Sequence, residues 1–162
     1  MTHSVRDTLA RGGARLLRVR WVVRAPIWLY RARLGFLFGH RLLMLEHIGR
    51  TSGLRRYVVL EVVDRPAPNR YVVVAGFGPH AQWLRNVIAQ PQVRVSAGFR
   101  GPTPATALVL DPDATAAALR RYAAAHPRAW AGLRPVLEQT LGSSIEVTGT
   151  DLPMVELDLE TR

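Results

Sequence analysis

From residue 41 onward, apolar residues fall in short runs that are bounded by Gly, Pro, Asn and Asp. Runs of roughly 4–8 residues that are rich in Val, Leu and Ile are typical of buried β-strands. Six such runs predict strands over residues 41–47, 55–64, 70–76, 93–97, 103–110 and 154–159. The Arg-Pro-Ala-Pro-Asn sequence at 65–69 predicts a hairpin loop between the second and third strands, and residues 98–102 predict a loop between the next two.

Three other segments show the helical spacing of apolar residues. They cover residues 80–90, 114–125 and 127–141. Pro91 ends the first helix, Asp111 is the expected N-cap of the second with Pro112 in its first turn, and Gly142 breaks the third. Six strands with mostly hairpin connections and a few helices predict a mainly β, α+β protein: a small antiparallel barrel with helices outside.

The first 40 residues differ from the rest of the chain in charge. All 22 basic residues are Arg, against 12 acidic residues, and the formal net charge is +10. Residues 1–41 hold nine of these Arg and one acid, Asp7, which amounts to +8. Apolar residues alternate with the Arg at roughly helical spacing, and an aromatic-rich run follows Pro26. We therefore predict a basic amphipathic helical segment over 1–40 and a barrel domain over 41–162.

Two arrangements fit this basic segment, which is too short and too charged to span a bilayer. It could lie on an anionic membrane surface with its Arg facing the head groups, or it could pack its apolar face on the barrel. Nucleic-acid binding is not expected, because the charge lies in one apolar, Trp-containing segment without a nucleic-acid motif. No apolar leader is visible, so we expect a cytoplasmic protein, or one peripheral on the inner face of the membrane.

The composition excludes several kinds of site. The chain has no Cys, which excludes disulfides, thiolate-ligated metals and thiol nucleophiles. It also lacks a His-x-x-His pair and a cluster of carboxylates, so no metal site is expected.

The segment 49–56 between the first two predicted strands reads Gly-Arg-Thr-Ser-Gly-Leu-Arg-Arg. Gly49 and Gly53 permit a tight turn with positive φ, which would direct backbone N–H groups and two hydroxyls into one concavity. Three arginines border the turn, and a guanidinium group can bind two oxygens of a phosphate or carboxylate at once. The segment predicts an anion-binding turn; the alternative is a hairpin turn with solvated arginines.

A second glycine-containing stretch follows the third predicted strand. Gly76 and Gly78 flank Phe77 there, and small residues at a strand end let a flat ligand approach the backbone closely. The helix beyond presents Trp83 and Asn86 on one face, since they are three residues apart.

Taken together, these motifs resemble the deazaflavin (F420)-dependent nitroreductase and quinone reductase family. The similarity lies in Leu-x-x-x-Gly-Arg-x-Ser-Gly-x-x-Arg at 45–56, the Val-rich strand to Ala75-Gly76, Trp83-x-x-Asn86 and Pro91-x-Val93-x-Val95. It runs from about residue 26 to residue 130. The resemblance implies a split β-barrel of the flavin-binding type. It also implies an oxidoreductase that transfers hydride from reduced coenzyme F420, which carries a phosphate and an oligoglutamate tail, to a quinone-like or nitroaromatic acceptor.

The resemblance also implies particular site residues. The cofactor's phosphate and tail would be held by Arg50, Thr51, Ser52, Gly53, Leu54, Arg55 and Arg56. Its ring would lie along Val73, Val74, Ala75, Gly76, Phe77 and Gly78. The substrate pocket would include Trp83 and Trp130. His126 is the candidate proton donor, because imidazole titrates near neutral pH; its alternative is a linker histidine packed beside Pro127.

Some positions depart from the family pattern. The family often has Lys at Thr51, and Ser-Lys or Ser-Asn at Gly76-Phe77. The alternative hypothesis is therefore a split barrel without this catalysis that binds FMN, haem or a lipid. A small lipophilic acceptor would suit a membrane-facing segment, and a homodimer also fits, since split barrels of this size frequently pair.

Overall fold

The computed structural model describes residues 40–142, 144–145 and 152–161. The predicted basic segment lies almost entirely outside the described residues. Its helical character, its partner and the domain boundary after residue 40 therefore stay predictions.

Six strands and three α-helices follow one another in the described residues. They are β1 (Leu42–Ile48), β2 (Arg55–Ala67), β3 (Arg70–Val74), α1 (Gln82–Ala89), β4 (Gln92–Ala97), β5 (Arg100–Val109), α2 (Pro112–Ala125), α3 (Pro127–Leu141) and β6 (Met154–Leu159). A short 3-10 turn, Gly78–His80, precedes α1. The mainly β composition with six strands and flanking helices is confirmed.

The strands form a closed antiparallel barrel in the order β1-β2-β3-β6-β5-β4, with β4 returning to β1. The last strand in the sequence, β6, lies between β3 and β5, so that Val155 is opposite Val73 on one side and Val109 on the other. Closure pairs both edges of every strand. The expected antiparallel barrel is therefore confirmed.

Alternation of side chains along the strands produces two apolar clusters. The barrel interior contains Leu43, Leu45, Tyr71, Val73, Val95 and Leu157 among others. The second cluster lies between the outer face of β3 and β6 and the helices α2 and α3, and includes Val72, Val74, Leu119, Leu137 and Met154. Adjacent residues of β3 thus pack into different clusters, which makes this strand the wall between the barrel core and the helices.

Two predicted helix ends are confirmed, whereas α1 covers Gln82–Ala89 rather than residues 80–90. At the start of α2, Asp111 Oδ1 accepts a hydrogen bond from the backbone N–H of Ala114 at 2.8 Å, and Pro112 occupies the first turn. At the end of α3, Gly142 adopts a left-handed conformation with φ of 69°.

The predicted hairpin between β2 and β3 is confirmed, but its loop is shorter than the predicted 65–69. Strand β2 continues to Ala67, which leaves Pro68 and Asn69 as the turn. Pro66 is tolerated because the β2–β3 register shifts between Asp64 and Ala67, so the missing N–H falls at an irregularity of the ladder.

Several other predicted strand bounds differ from the structure by one to three residues, and two differ by more than one residue. The third strand ends at Val74 rather than at residue 76, and β5 begins at Arg100 rather than at residue 103. The β4–β5 turn is short because Gly98 adopts a φ of 56°, which lets the chain reverse within two residues.

Candidate cofactor-binding site

A cavity of about 840 Å³ lies beside the β1–β2 turn and the end of β3. Its walls come from the turn (Arg50, Thr51, Ser52), from residues 56–61 of β2, from Val74, Gly76 and Phe77 after β3, and from Gln82, Trp83 and Asn86 of α1. At about 3.3 Å per residue, the five-residue span from Arg56 to Glu61 gives the β2 wall a length of roughly 16 Å. The cavity is therefore long enough to contact an extended ligand.

The β1–β2 turn is held together by its own backbone. Gly49 N–H donates to the Leu54 carbonyl at 2.8 Å, and Gly53 N–H donates to the Gly49 carbonyl at 2.8 Å. Gly53 has a φ of 68°, and the Leu54 N–H donates to Ser52 Oγ at 3.3 Å. Because these N–H groups are used within the turn, its arginines and hydroxyls are its main donors toward a ligand.

Arg50 connects the turn to α1. Its backbone N–H and its Nη1 both donate to Asn86 Oδ1, at 3.1 and 3.0 Å, and Nη1 also donates to Gln82 Oε1 at 3.0 Å. Gln82 and Asn86 are four residues apart and lie on the same face of α1. The helix therefore fixes both the backbone and the guanidinium of Arg50.

His47 completes this network beneath the turn. The buried Asn86 Nδ2 donates to His47 Nδ1 at 3.1 Å. Burial, together with the charge of Arg56, lowers the pKa of His47 to about 4, so its ring is neutral at physiological pH. A neutral ring with an accepting Nδ1 makes the Asn86 amide direct its oxygen toward Arg50.

Glu61 lies at the other end of the β2 wall. Its Oε1 accepts a hydrogen bond from the Tyr122 hydroxyl of α2 at 2.9 Å. Burial, and next the hydrogen bond to Glu61, raise the pKa of Tyr122 to about 12, so the phenol keeps its proton and acts as a donor. Among the described residues that line the cavity, Glu61 is the only carboxylate.

The structure divides the predicted turn residues into two groups. Arg50, Thr51, Ser52 and Arg56 line the cavity. Gly53, Leu54 and Arg55 lie outside its lining: the Leu54 side chain is exposed, and Arg55 Nε is 3.6 Å from Glu46 Oε1.

The predicted ring-binding residues divide in the same way. Val74, Gly76 and Phe77 line the cavity. Val73 and Ala75 are buried in the barrel core, and Gly78 is buried beside Leu141. Alternation along β3 turns every second side chain away from the cavity.

Of the predicted substrate-pocket and catalytic residues, only Trp83 lines the cavity. Trp130 packs on the cluster under α3 and makes an edge-on contact with Tyr122, with ring centroids 6.5 Å apart. His126 is exposed where α2 meets α3, with its ring centroid 5.3 Å from that of Tyr122. The roles assigned to His126 and Trp130 stay predictions.

His47, Glu61 and Gln82 were not predicted as site residues. Glu61 could have been found from strand periodicity, since it lies on the same face of β2 as Tyr57 and Val59. His47 gave no such signal, because its partner Asn86 is 39 residues away in the sequence.

Within residues 40–142, 144–145 and 152–161, no group of three or more His, Asp or Glu side chains could hold a metal ion. The helices of the same residues include none that is long and apolar enough to cross a membrane.

The sequence model of the F420H(2)-dependent quinone reductase family matches residues 22–134, more than half of the chain. The chain belongs to this family. It is therefore an oxidoreductase, and its cofactor is coenzyme F420. No curated protein matches the chain.

Similar solved structures support the split-barrel fold. A domain-swapped dimer and an F420-H2-dependent reductase, FDR-A, are each 24% identical to this chain, with a TM-score of 0.53. Each match covers 74% of this chain. The first covers 81% of the matched chain and the second covers 96%. The heme storage protein HutZ from Vibrio cholerae is 16% identical over 78% of this chain and 87% of its own, with a TM-score of 0.52.

The donors that line the cavity fit an F420-type molecule. Arg50 and Arg56, with the Thr51 and Ser52 hydroxyls, offer cationic and neutral donors at one end, as a phosphate and a carboxylate tail require. Val74, Gly76 and Phe77 offer an apolar edge that can lie against a flat ring.

Proposed function

We propose that this protein transfers hydride from reduced F420 to an uncharged, lipophilic, quinone-like acceptor. The observation that supports this proposal is the chemical contrast along one cavity, which is cationic at Arg50 and Arg56 and largely apolar from Val74 to Trp83. When bound, reduced F420 supplies a hydride, and a quinone that takes up this hydride and one proton becomes a quinol.

The β1–β2 turn would hold the anionic part of the cofactor. Arg50 already donates through Nη1 to Asn86 and Gln82, and a guanidinium has further N–H donors that can reach an oxyanion. Because α1 fixes this guanidinium before binding, little side-chain entropy would be lost when the anion arrives.

The end of β3 would place the ring and the acceptor. Val74 and Gly76 line the cavity next to Phe77, whose side chain is 80% exposed. A bound acceptor would cover the Phe77 ring and Trp83. This would exclude water from the reacting atoms and bury apolar surface.

A fluorescence titration with F420 tests the turn's role. We expect Arg50→Ala/Arg56→Ala to weaken binding by about 2–4 kcal/mol, roughly 30- to 1000-fold, because two charge-assisted contacts are lost. The matched control is Arg70→Ala/Arg121→Ala, which removes the same charge outside the cavity lining. Equal affinity of the first variant and the wild type would contradict the proposal, and titrations with FMN, haem and lipid would follow.

The acceptor class is tested by the oxidation of reduced F420 in the presence of either menadione or a neutral nitroaromatic. We expect faster turnover with the quinone. Turnover with the nitroaromatic alone would contradict the proposal that the acceptor is a quinone.

We also propose that residues 1–39 bring the enzyme to an anionic membrane surface, where lipophilic quinones reside. The support is their formal charge of +7, from eight Arg and one acid, and these Arg are interleaved with Trp and Leu. Binding to vesicles that depends on anionic lipid, and its loss on deleting residues 1–23, is the expected result.

A homodimer is a further proposal, prompted by the domain-swapped dimer among the similar structures. Sedimentation equilibrium would show twice the monomer mass of 18.0 kDa if the proposal holds.

A further inference from the structure

Glu61 occupies the acceptor end of the cavity rather than the anion end. In the β2–β3 pair Val62 is opposite Val73, so in this antiparallel register Glu61 lies beside Val74. Val74 is part of the apolar edge proposed for the ring, and both residues line the cavity. A molecule that lies on the ring there would therefore come close to the Glu61 carboxylate.

The Glu61 carboxylate is held in place. The Tyr122 hydroxyl donates to its Oε1 at 2.9 Å, and the Tyr122 side chain is buried at 4% exposure. One hydrogen bond leaves a carboxylate with further acceptor capacity. Glu61 can therefore accept a hydrogen bond from a ligand without giving up its contact with Tyr122.

The cation nearest to this end, Arg41, is close enough for its charge to act on Tyr122, but it does not line the cavity. None of the ion pairs between described residues includes Glu61, while Arg50 and Arg56 lie toward the other end of the cavity. The two ends therefore differ in sign. Because a largely apolar cavity screens charge less than water does, a second negative charge near Glu61 is disfavoured.

We propose that Glu61 is a specificity-determining residue that excludes anionic acceptors and favours uncharged ones. This inference rests on the proposed function and deepens it by defining the acceptor's charge. The cofactor's own anionic groups are not affected, because they belong at the arginine end.

The test compares menadione, which is neutral, with 1,4-naphthoquinone-2-sulfonate, which carries one negative charge. Binding of each to the F420-loaded protein is followed by quenching of tryptophan fluorescence, since Trp83 lines the cavity. Reduction of each is followed separately through the oxidation of reduced F420. We expect the wild type to prefer menadione, and Glu61→Gln to improve the affinity and kcat/KM for the sulfonate by about tenfold while those for menadione change less than twofold.

Glu61→Gln is nearly isosteric and can still accept from Tyr122, so the fold should be retained; thermal unfolding verifies this. Asp158→Asn is the matched control, because it removes one carboxylate that lies outside the cavity lining. An equal preference for the sulfonate in the wild type and in Glu61→Gln would overturn the inference, as would the same gain in Asp158→Asn. Failure of the proposed function looks different: neither quinone would then be reduced, and the quenching measurement would still decide whether Glu61 discriminates by charge.

Discussion

At the scale of single residues, the position of the Arg50 guanidinium depends on a buried neutral histidine, His47. His47 accepts from Asn86, and this contact determines which end of the amide meets Arg50. If the amide were reversed, its NH2 group would face the Arg50 donors and both contacts would be lost. The charged Arg50 side chain is thus positioned by two uncharged side chains, those of Asn86 and His47.

Replacing Asn86 with Leu should weaken F420 binding by about tenfold, because one or two hydrogen bonds that position Arg50 are lost, each contributing roughly 1 kcal/mol. Gln90→Leu is the control, since Gln90 is exposed at the end of α1 and does not line the cavity. Fluorescence titration compares the variants. Unchanged affinity in Asn86→Leu would show that Arg50 needs no support from Asn86.

The free energy of unfolding should decrease as the pH falls below about 6.5, because of His47. Its pKa is about 4 in the folded protein and 6.5 in the unfolded chain, so below pH 6.5 only the unfolded chain takes up the proton. The stabilisation is present above pH 6.5 and is lost as the pH falls toward 4; about 2 kcal/mol should be lost between pH 7 and pH 5.

Urea unfolding of the wild type and of His47→Asn at the two pH values measures this contribution. The variant should lose less stability than the wild type over the same interval, whereas His126→Asn, at an exposed position, should behave as the wild type does. Parallel losses in all three proteins would contradict the assignment to His47.

At the scale of elements, the junction between β3 and α1 depends on a glycine. Gly78 has a φ of 70°, and a Cβ placed there would lie 2.9 Å from Leu141 Cδ2. The left-handed φ disfavours any L-residue, and the contact would require the Leu141 side chain of α3 to move. The sequence suggested a close backbone approach to a ligand here, but the structure shows that α3 approaches this glycine.

Gly78→Ala should destabilise the protein by about 1–3 kcal/mol, from the left-handed conformation together with the contact with Leu141. Gly101→Ala is the control, because no atom lies within 4 Å of a Cβ placed there. The midpoint of urea unfolding should fall in the first variant and stay nearly constant in the second. A similar midpoint in both variants would show that α3 accommodates the methyl group freely.

The elements themselves were largely predictable, while their ends were less so. The N-cap Asp111 and the break at Gly142 are local signals, and both are confirmed. The loop at 65–69 was mispredicted because a proline normally interrupts a strand, and only the register shift opposite β3 makes Pro66 acceptable.

At the scale of the whole molecule, the barrel is closed by its last strand. β6 pairs with both β3 and β5, and its inward side chains Val155, Leu157 and Leu159 are buried in the core. The barrel is therefore incomplete until the C-terminal strand is in place.

Deleting residues 154–162 should abolish cooperative unfolding, because β3 and β5 lose their shared partner and the core loses its inward side chains. Deleting only residues 161–162 should leave the transition unchanged, since both follow β6. Near-ultraviolet circular dichroism during thermal unfolding distinguishes the two proteins. A cooperative transition in the longer deletion would show that five strands are sufficient.

Residue patterns alone were enough to predict the number of strands, the antiparallel barrel, the basic character of the β1–β2 turn and the family. These features are encoded locally, in the period of apolar residues and in the spacing of Gly, Ser and Arg. The tertiary structure decided which predicted residues face the cavity, because Val73 and Val74, or Arg55 and Arg56, are neighbours in sequence but point to opposite sides of a strand. It also decided the partners of Arg50 and Glu61, since Asn86 and Tyr122 reach them only after α1 and α2 have packed on the barrel.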